Sequence, residues 1–428
     1  MTYFDIDNYS PNKAIMPTAI YLNRNYVPII GTKAIEQYIN DNTGRIIHLE
    51  KEELGEIYLT YGETSTFKGR DNDAGDTTFA VKVHAMVEQD MPGHLFRSLK
   101  RWLGSKSIDK VRVFDKHYRI VALITTILIH IKKTTEMCLG HSIESLHIGK
   151  PVQFEGTTVE TNALAIKRIY EACDYAGLKG VSFYPEPIGA ALSYLHNQES
   201  LIGKTVLVFD FGGGTLDLCL VKKDKNNFEI LATHGVPIGG NLIDQKIFES
   251  KLFNELGQGC LIPDIDSDSP RLRQFPFEKF AKGILNWHQT YTLNTPDFLR
   301  YIHTGIKYNN DVVSEKLMRL HDLIRFNYSY FVFRAIEQAK FDLSFEDTAL
   351  IEISELNLSV QITRSEFESI ISSILLEIRA CIDTTLDMGG VKENDAVIVV
   401  RTGGSSQIPI IKNLLEENFL TESLNMTF

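Results

Sequence analysis

The alternation of apolar and polar positions divides the 428-residue chain into interleaved strands and helices. Residues 19 to 30 (AIYLNRNYVPII) read as a short strand pair, and Thr32 to Asn40 opens a helix. Phe79 to Val87 has strand character, and the stretch His94 to Leu103 is expected to be helical. Residues 118 to 138 carry the period of a buried helix. Ser145 to Phe154 reads as a strand and Asn162 to Ala176 as a helix stopped by Gly177. The apolar run Val206 to Phe209 demands a buried strand, and it leads into a glycine hairpin. A third strand at Phe228 to Thr233 and the turn GVPIGGN at 235 to 241 follow, then helix-rich sequence from Leu242 to Ser344. A strand pair within Leu350 to Ile362, a helix from near Ser365 and a final strand in VIVVRTGG (397 to 404) complete the series. This βαβ character predicts two α/β lobes whose strand ends face one another across a cleft, the usual ligand position in such sheets.

Composition narrows the function classes. At 43% hydrophobic residues the chain can bury real cores, and its net charge of -11, without a basic stripe, argues against nucleic acid as a partner. The five cysteines (Cys138, Cys173, Cys219, Cys260, Cys381) are scattered without a CxxC pair, and read as reduced core thiols of a cytoplasmic protein. The N-terminus lacks the pattern of an export signal, and the longest apolar stretch, Val121 to Ile131, is too short to cross a bilayer.

The chemistry concentrates in DFGGGTLD, residues 210 to 217. Three consecutive glycines give up side chains, which suits close approach of something to the backbone, and the bare amides of a tight turn suit a di- or triphosphate. Asp210 and Asp217 then read as holders of Mg²⁺ through water, as that ion prefers. The alternative is a plain glycine-rich hairpin, but such a turn needs one or two glycines and no flanking acids. Two other motifs fail. Gly203-Lys204-Thr205 ends like a Walker A loop, yet Gln198 stands where glycine is required and a strand follows. Asp264, Asp266 and Asp268 alternate like a calcium loop, but Ser269 and Phe275 occupy its glycine and glutamate positions. The aromatics Phe275, Phe277, Phe280, Trp287 and Tyr291 read as core.

The blocks YPEPIGAALSYL (184 to 195), FDFGGGTLD (209 to 217), GVPIGGNLID (235 to 244), RAIEQAKFDLS (334 to 344), ITRSEFESI (362 to 370) and TGGSSQIPIIKNLL (402 to 415) occur in one order. That order resembles the nucleotide-binding domain of the DnaK-type, seventy-kilodalton heat-shock chaperones, over nearly the whole chain. HIGKPVQF (147 to 154), LNTPDFLRYI (293 to 302) and NYSYFVFRAIEQAK (327 to 340) look more like the YegD-like branch. The resemblance implies an actin-like ATPase fold of two ribonuclease-H-like lobes. Lobe I would span residues 1-200 with a peripheral subdomain at about 31-139, and lobe II 201-428 with one at about 242-344.

By the same resemblance, ATP or ADP with Mg²⁺ would lie in the cleft, with hydrolysis coupled to lobe closure and a protein client or co-chaperone as partner. Gly212, Gly213, Gly214 and Thr215 would hold the β- and γ-phosphates, with Gly239 and Gly240 beside them. Asp210, Asp217 and Glu186 would organise the hydrated metal, one of them orienting the attacking water. Lys100 would reach the γ-phosphate; its other reading is a solvated lysine on an amphipathic helix. Glu337, Lys340 and Ser344, on one helix face by spacing, would grip the adenosine, with Gly403, Gly404 and Ser405 opposite. Without the resemblance, Glu337 and Lys340 read as a surface ion pair.

Phe341 and Gln407 depart from the family pattern, which usually places arginines there to sandwich the adenine. The opening strand, glycine-threonine turn and strand of the family have no counterpart, Asp5 and Asp7 lack that turn, and the chain stops at Phe428 soon after the GGSSQIP turn. An incomplete first lobe, exposed backbone around residues 3 to 30 and impaired hydrolysis are therefore expected. The alternative function is a non-catalytic remnant or pseudo-ATPase acting through protein interaction; a third reading is a filament-forming actin relative.

Overall fold

The computed structural model describes residues 3–61, 77–88, 90–151, 154, 158–186, 189, 201–224, 228–264, 271–392 and 395–421. Most of YPEPIGAALSYL, as well as Gln198, Asp266 and Asp268, therefore lies outside the described residues. The first elements are β1 (Ala19–Asn23), β2 (Pro28–Ile30), α1 (Thr32–Asn42), β3 (Leu49–Tyr61), β4 (Thr77–Glu88) and β5 (Gly93–Arg97). β1 is apolar along almost its whole length because both of its faces are covered. Period-two alternation sends Ala19 and Tyr21 against Ala34, Ile35 and Tyr38 of α1, and sends Ile20 and Leu22 against Phe96, Leu99 and Leu123. It pairs antiparallel with β2 on one side and β5 on the other, so this strand is neither open nor exposed as the sequence leads one to expect.

The expected helix over His94 to Leu103 is not formed. Gly93 to Arg97 is instead extended, because β1 offers it a ladder partner in the register Ala19 to Arg97. Ser98 then takes a left-handed backbone (φ 53°), and Lys100 stands in a single 3-10 turn, Leu99–Trp102. Asp7 has a structural task nearby. Its buried carboxylate accepts the Thr32 amide at 2.8 Å and the Tyr9 amide at 3.1 Å, and Gly31 (φ 72°) leaves no room there for a side chain. Asp7→Ala is expected to lower the unfolding free energy by about 1 kcal/mol, by removing hydrogen bonds to two part-buried amides. Chemical denaturation measures this, and nucleotide affinity should not change.

A hairpin of β6 (Lys110–Val113) and β7 (Lys116–Arg119) precedes α2 (Ile120–Leu139), β8 (Ser145–Lys150), α3 (Val159–Tyr175) and β9 (Gly180–Pro185). α3 starts three residues ahead of the expected Asn162, because Thr158 and Thr161 form a reciprocal capping box; Gly177 ends it with φ 72°, as expected. β8 and β9 pair in parallel, and Leu146, Ile148, Val181 and Phe183 pack on the cluster that holds Ile169 and Cys173 of α3.

The hairpin of β10 (Thr205–Phe211) and β11 (Leu216–Lys223) is followed by β12 (Phe228–Val236) and α4 (Gly240–Leu252). A helical region follows, containing the small hairpin β13 (Leu261–Pro263) and β14 (Leu272–Gln274), then α5 (Glu278–Ile284), α6 (Pro296–Tyr308), α7 (Asp311–Arg325) and α8 (Ser329–Asp342). The chain continues through β15 (Thr348–Ile353), β16 (Leu358–Thr363), α9 (Arg364–Ile370), α10 (Ser372–Met388), β17 (Val397–Thr402), α11 (Pro409–Asn418) and β18 (Leu420–Thr421). The largest sheet has the order β12-β11-β10-β17-β18, with β17 parallel to β10. Leu207, Phe209 and Phe211 of β10 face the main core, while Val206 and Val208 face Cys219, Val221, Ile398 and Val400. That two-sided burial is why the run shows no polar alternation.

The amino-terminal elements dock on the helical region. Tyr38 packs edge-on against Trp287 and Tyr291 and donates its hydroxyl to the His288 carbonyl; the Gly44 amide donates to the Arg325 carbonyl at 2.7 Å and the Ile47 amide to the Asn294 carbonyl at 2.8 Å. The aromatic residues assigned to core from sequence, Phe275, Phe277, Phe280, Trp287 and Tyr291, are all buried. Of the five cysteines, all are free and Cys173, Cys219 and Cys381 are buried, but Cys138 is exposed near the end of α2, where the helix leaves the core. Among the described residues no helix is long and apolar enough to cross a membrane.

Candidate functional site

The glycine turn between β10 and β11 is held from beneath by two other segments. The Gly212 amide closes the turn on the Thr215 carbonyl at 3.0 Å, and the amides of Gly240 and Asn241 donate to the carbonyls of Gly212 and Gly213 at 3.0 and 2.8 Å. Ser405 donates its hydroxyl to the Gly212 carbonyl at 3.1 Å. The carbonyls of Gly212 and Gly213 are thereby directed into the protein.

Space around each glycine shows which ones serve packing. A Cβ on Gly239 would stand 2.5 Å from the Gly213 carbonyl oxygen and 2.6 Å from the Gly214 nitrogen, so two backbones touch there. Gly403, in a left-handed conformation (φ 82°), lies against the Phe211 carbonyl, with its Cβ position 3.0 Å from Asp210 Oδ1. Gly214, by contrast, has nothing within 4 Å of the position a Cβ would take, and Gly213 meets only Asn241 Oδ1 at 3.5 Å. The crowded glycines bring three loops together, and the open ones form a surface of backbone that a ligand can reach.

Asp210 and Asp217 are direct neighbours across the β10–β11 ladder, and Asp210 also faces Thr402 of β17. Asp217 is buried and accepts the Thr215 hydroxyl at 2.9 Å. Lys100 donates to Glu186 at 2.8 and 3.1 Å, a partly exposed pair that adds little stability. Burial, followed by the negative charges of Glu186 and Asp217, pushes the Asp210 carboxyl up to about 6, with Lys100 acting against them. The sequence-predicted residues Lys100, Glu186, Asp210, Thr215 and Asp217 are thus gathered at the open end of the glycine turn.

The adenosine-side residues divide. Lys340 of α8 is not paired with Glu337; it donates to Asp244 of α4 at 2.6 Å, with the two side chains 16% and 4% exposed. Its amine lies 3.4 Å from where a Gly240 Cβ would stand, which ties α8 to the floor of the glycine turn. Burial pushes Asp244 up to about 6 even though the lysine opposes that shift. Glu337 binds Arg334 on its own helix at 3.1 Å, and Ser344 donates to the Lys340 carbonyl at 3.4 Å. Among the described residues, the hydrogen bonds of these two run to neighbours in their own segment. Gly404 has open space beside it, next to the packed Ser405.

Three contributors escape a residue-type search. Asp244 fixes Lys340, the Asn241 amide fixes the turn, and the buried Arg401 donates to the Ser406 carbonyl at 3.1 Å, bracing the 403 to 406 turn. Asp244 and Asn241 lie within the block GVPIGGNLID, which was the available signal; Arg401 sits inside an apolar strand and offered none.

The bare backbone at Gly214, with open space beside it, fits a phosphate. Among the described residues no three His, Cys, Asp or Glu side chains converge closely enough to hold a bare metal ion. Three carboxylates crowding one another at Asp210 do fit a hydrated Mg²⁺, whose waters span the remaining distance.

The chain is thus a mixed α/β protein with a glycine turn at the end of a sheet and carboxylates gathered beside it. The chain matches the family described as Hsp70 protein over residues 80–282 and 330–427, well over half of its length, and it belongs to that family. It is 27% identical over 329 residues to the chaperone protein DnaK of Mycoplasmopsis agalactiae, covering 74% of this chain and 44% of that protein. It is also 27% identical over 338 residues to the chaperone protein DnaK of Thermotoga neapolitana, covering 77% of this chain and 45% of that one. The chain thus spans less than half the length of these relatives.

Proposed function

We propose that the chain is a nucleotide-binding module of the heat-shock-70 chaperone type, in the YegD-like branch, taking ADP or ATP with hydrated Mg²⁺ at the glycine turn. The single observation that carries this reading is the turn itself: its carbonyls are held inward by Gly240, Asn241 and Ser405, while Gly214 faces open space. Gly212 to Thr215 hold the phosphates; Asp210, Asp217 and Glu186 receive the metal's waters. The cation would supply the positive charge that offsets the crowded carboxylates and the phosphates. Lys340, Glu337 and Ser344 on one side and Gly403, Gly404 and Ser405 on the other bound the nucleoside. The division into lobes at 1–200 and 201–428 of an actin-like ATPase, closure of those lobes, a cytoplasmic setting and a client or co-chaperone partner belong to the same proposal.

A second reading is favoured by one contact. Lys100 and Glu186 neutralise each other, so neither is free to act on a phosphate or a water until the pair opens. The chain then binds nucleotide without turning it over. Calorimetric titration of the 428-residue chain with ADP is expected to show binding with Mg²⁺ and its loss on chelation. No heat and no thermal shift under either condition would remove the proposal, and phosphate release from ATP separates the two readings.

A further inference from the structure

A guanidinium leaves water only where its charge and its N–H groups find partners. Arg168 of α3 is 5% exposed and finds them all on one segment. Its Nη1 donates to the carbonyls of Leu103 and Ser105 at 2.9 Å each and of Trp102 at 3.2 Å, and its Nη2 donates to Asp109 Oδ1 at 3.2 Å. These acceptors begin at the last residue of the 3-10 turn Leu99–Trp102, the turn that carries Lys100, and continue through residues 103–109, which belong to no helix or strand. The other ties at this turn are apolar: Leu99 is buried beside Leu123, and Trp102 meets Phe96 edge-on. Apolar packing has no direction, whereas carbonyls gathered on one planar fork fix how the turn is oriented.

The same helix supports Glu186. Ile169 and Cys173 of α3 pack in one cluster with Val181 and Phe183 of β9, and Glu186 directly follows Pro185, the last residue of that strand. Its Cγ lies 3.1 Å from the position a Gly149 Cβ would take on β8, the strand paired with β9. Lys100 and Glu186, 86 residues apart, are therefore carried by two segments with a common support in α3. Their contact at 2.8 and 3.1 Å depends on where Arg168 holds the loop.

We propose that Arg168 is the positioning residue for Lys100: it straps the lysine's turn to α3 and so sets the reach of the amine toward Glu186 and toward the outermost phosphate of a nucleoside triphosphate on the glycine turn. The phosphate half rests on the reading of that turn under the proposed function. Loosening the strap displaces the amine from the outermost phosphate first, so ATP feels the loss and ADP hardly does.

The test uses the full chain and two readouts. Carbodiimide joins a lysine amine to a carboxylate where the two touch, so peptide mapping reports the Lys100–Glu186 contact without nucleotide, while the Lys251–Glu366 pair at 2.9 Å reports the fold elsewhere. Arg168→Met, which fills the space but donates nothing, should lower the Lys100–Glu186 link several-fold and leave the Lys251–Glu366 link unchanged. By calorimetry it should weaken MgATP about ten-fold and MgADP less than about two-fold. Arg168→Lys recovers part of both losses, since it keeps the charge without the fork. Combined with Lys100→Ala, Arg168→Met should take nothing further from MgATP affinity. Should Arg168→Met fail to fold, Asp109→Ala, which removes only the Nη2 partner, decides by the same two readouts at smaller amplitude. An undiminished Lys100–Glu186 link overturns the proposal. So do a parallel fall of both links, an equal loss of ATP and ADP, or losses that add to those of Lys100→Ala, because the arginine would then serve the fold alone. Wild-type protein that binds neither nucleotide, yet loses the link with Arg168, keeps the strap and removes the phosphate reading. Nucleotide binding indifferent to Arg168 keeps that reading and removes the strap's part in it.

Discussion

Valine at Gly214 is expected to abolish Mg²⁺-dependent nucleotide binding while leaving the unliganded protein as stable as before. No atom lies within 4 Å of the position its Cβ would take, and the residue's φ lies outside the left-handed range, so the fold accommodates the side chain. Stability should therefore change by no more than about 0.5 kcal/mol, the usual range for an exposed substitution. The volume taken is the volume assigned to phosphate oxygens. Affinity for MgADP should fall by about 100-fold or more, roughly 2.7 kcal/mol. Gly239 supplies the contrast: alanine there drives a methyl into the backbone of Gly213 and Gly214, so both stability and binding suffer. Calorimetry and thermal melts of the two variants decide the matter, and undiminished nucleotide affinity in Gly214→Val would falsify the cradle.

Asp210→Asn should show the opposite combination, a gain in stability joined to loss of metal-dependent binding. The folded protein raises this carboxyl from its ordinary value of 3.8 to about 6, first through burial and then through Glu186 and Asp217. A raised acid favours the protonated form in the fold. Its contribution is fully present below about pH 4 and is lost as pH rises through about 6, so the unliganded chain is penalised near neutrality. Allowing for the partial exposure of Asp210, the variant should gain on the order of 1–2 kcal/mol at about pH 7 and nothing at about pH 4. Asp244 shifts in the same direction but is present in both proteins, so it cancels in the difference. Denaturant melts across this pH range provide the measurement. A variant less stable than wild type near neutrality would mean that Asp210 is already compensated by a group other than Lys100. Retention of a destabilised acid in the unliganded chain is the trade-off expected where a charge awaits a cation.

The Lys340–Asp244 pair and the Lys100–Glu186 pair illustrate two kinds of legibility. Spacing and resemblance put Glu337, Lys340 and Ser344 on one helix face; Glu337 and Lys340 lie on α8, while Ser344 stands just beyond its end at Asp342. The ion-pair partner of Lys340 was not legible, because Asp244 lies 96 residues earlier and is brought there only when α4 packs on α8. Lys100 was assigned to a helix, yet stands on a 3-10 turn; the preceding residues HLFR satisfy either period at so short a length, and only β1 as a ladder partner chose the strand.

What the sequence by itself determined was local. The unbroken apolar run of β10 required burial on both faces, the three glycines required a bare turn, and Gly177 required a helix to stop, because each follows from the backbone and solvation demands of a few adjacent residues. Only the tertiary structure decided which glycines are crowded and which are open, that Asp7 serves the turn at Gly31 and Thr32, that Cys138 faces water, and that burial pushes the Asp210 carboxyl up to about 6. Each of those depends on which distant element comes to lie alongside. Hydrophobic pattern states that a neighbour must exist; packing alone states which one it is and how much water it leaves.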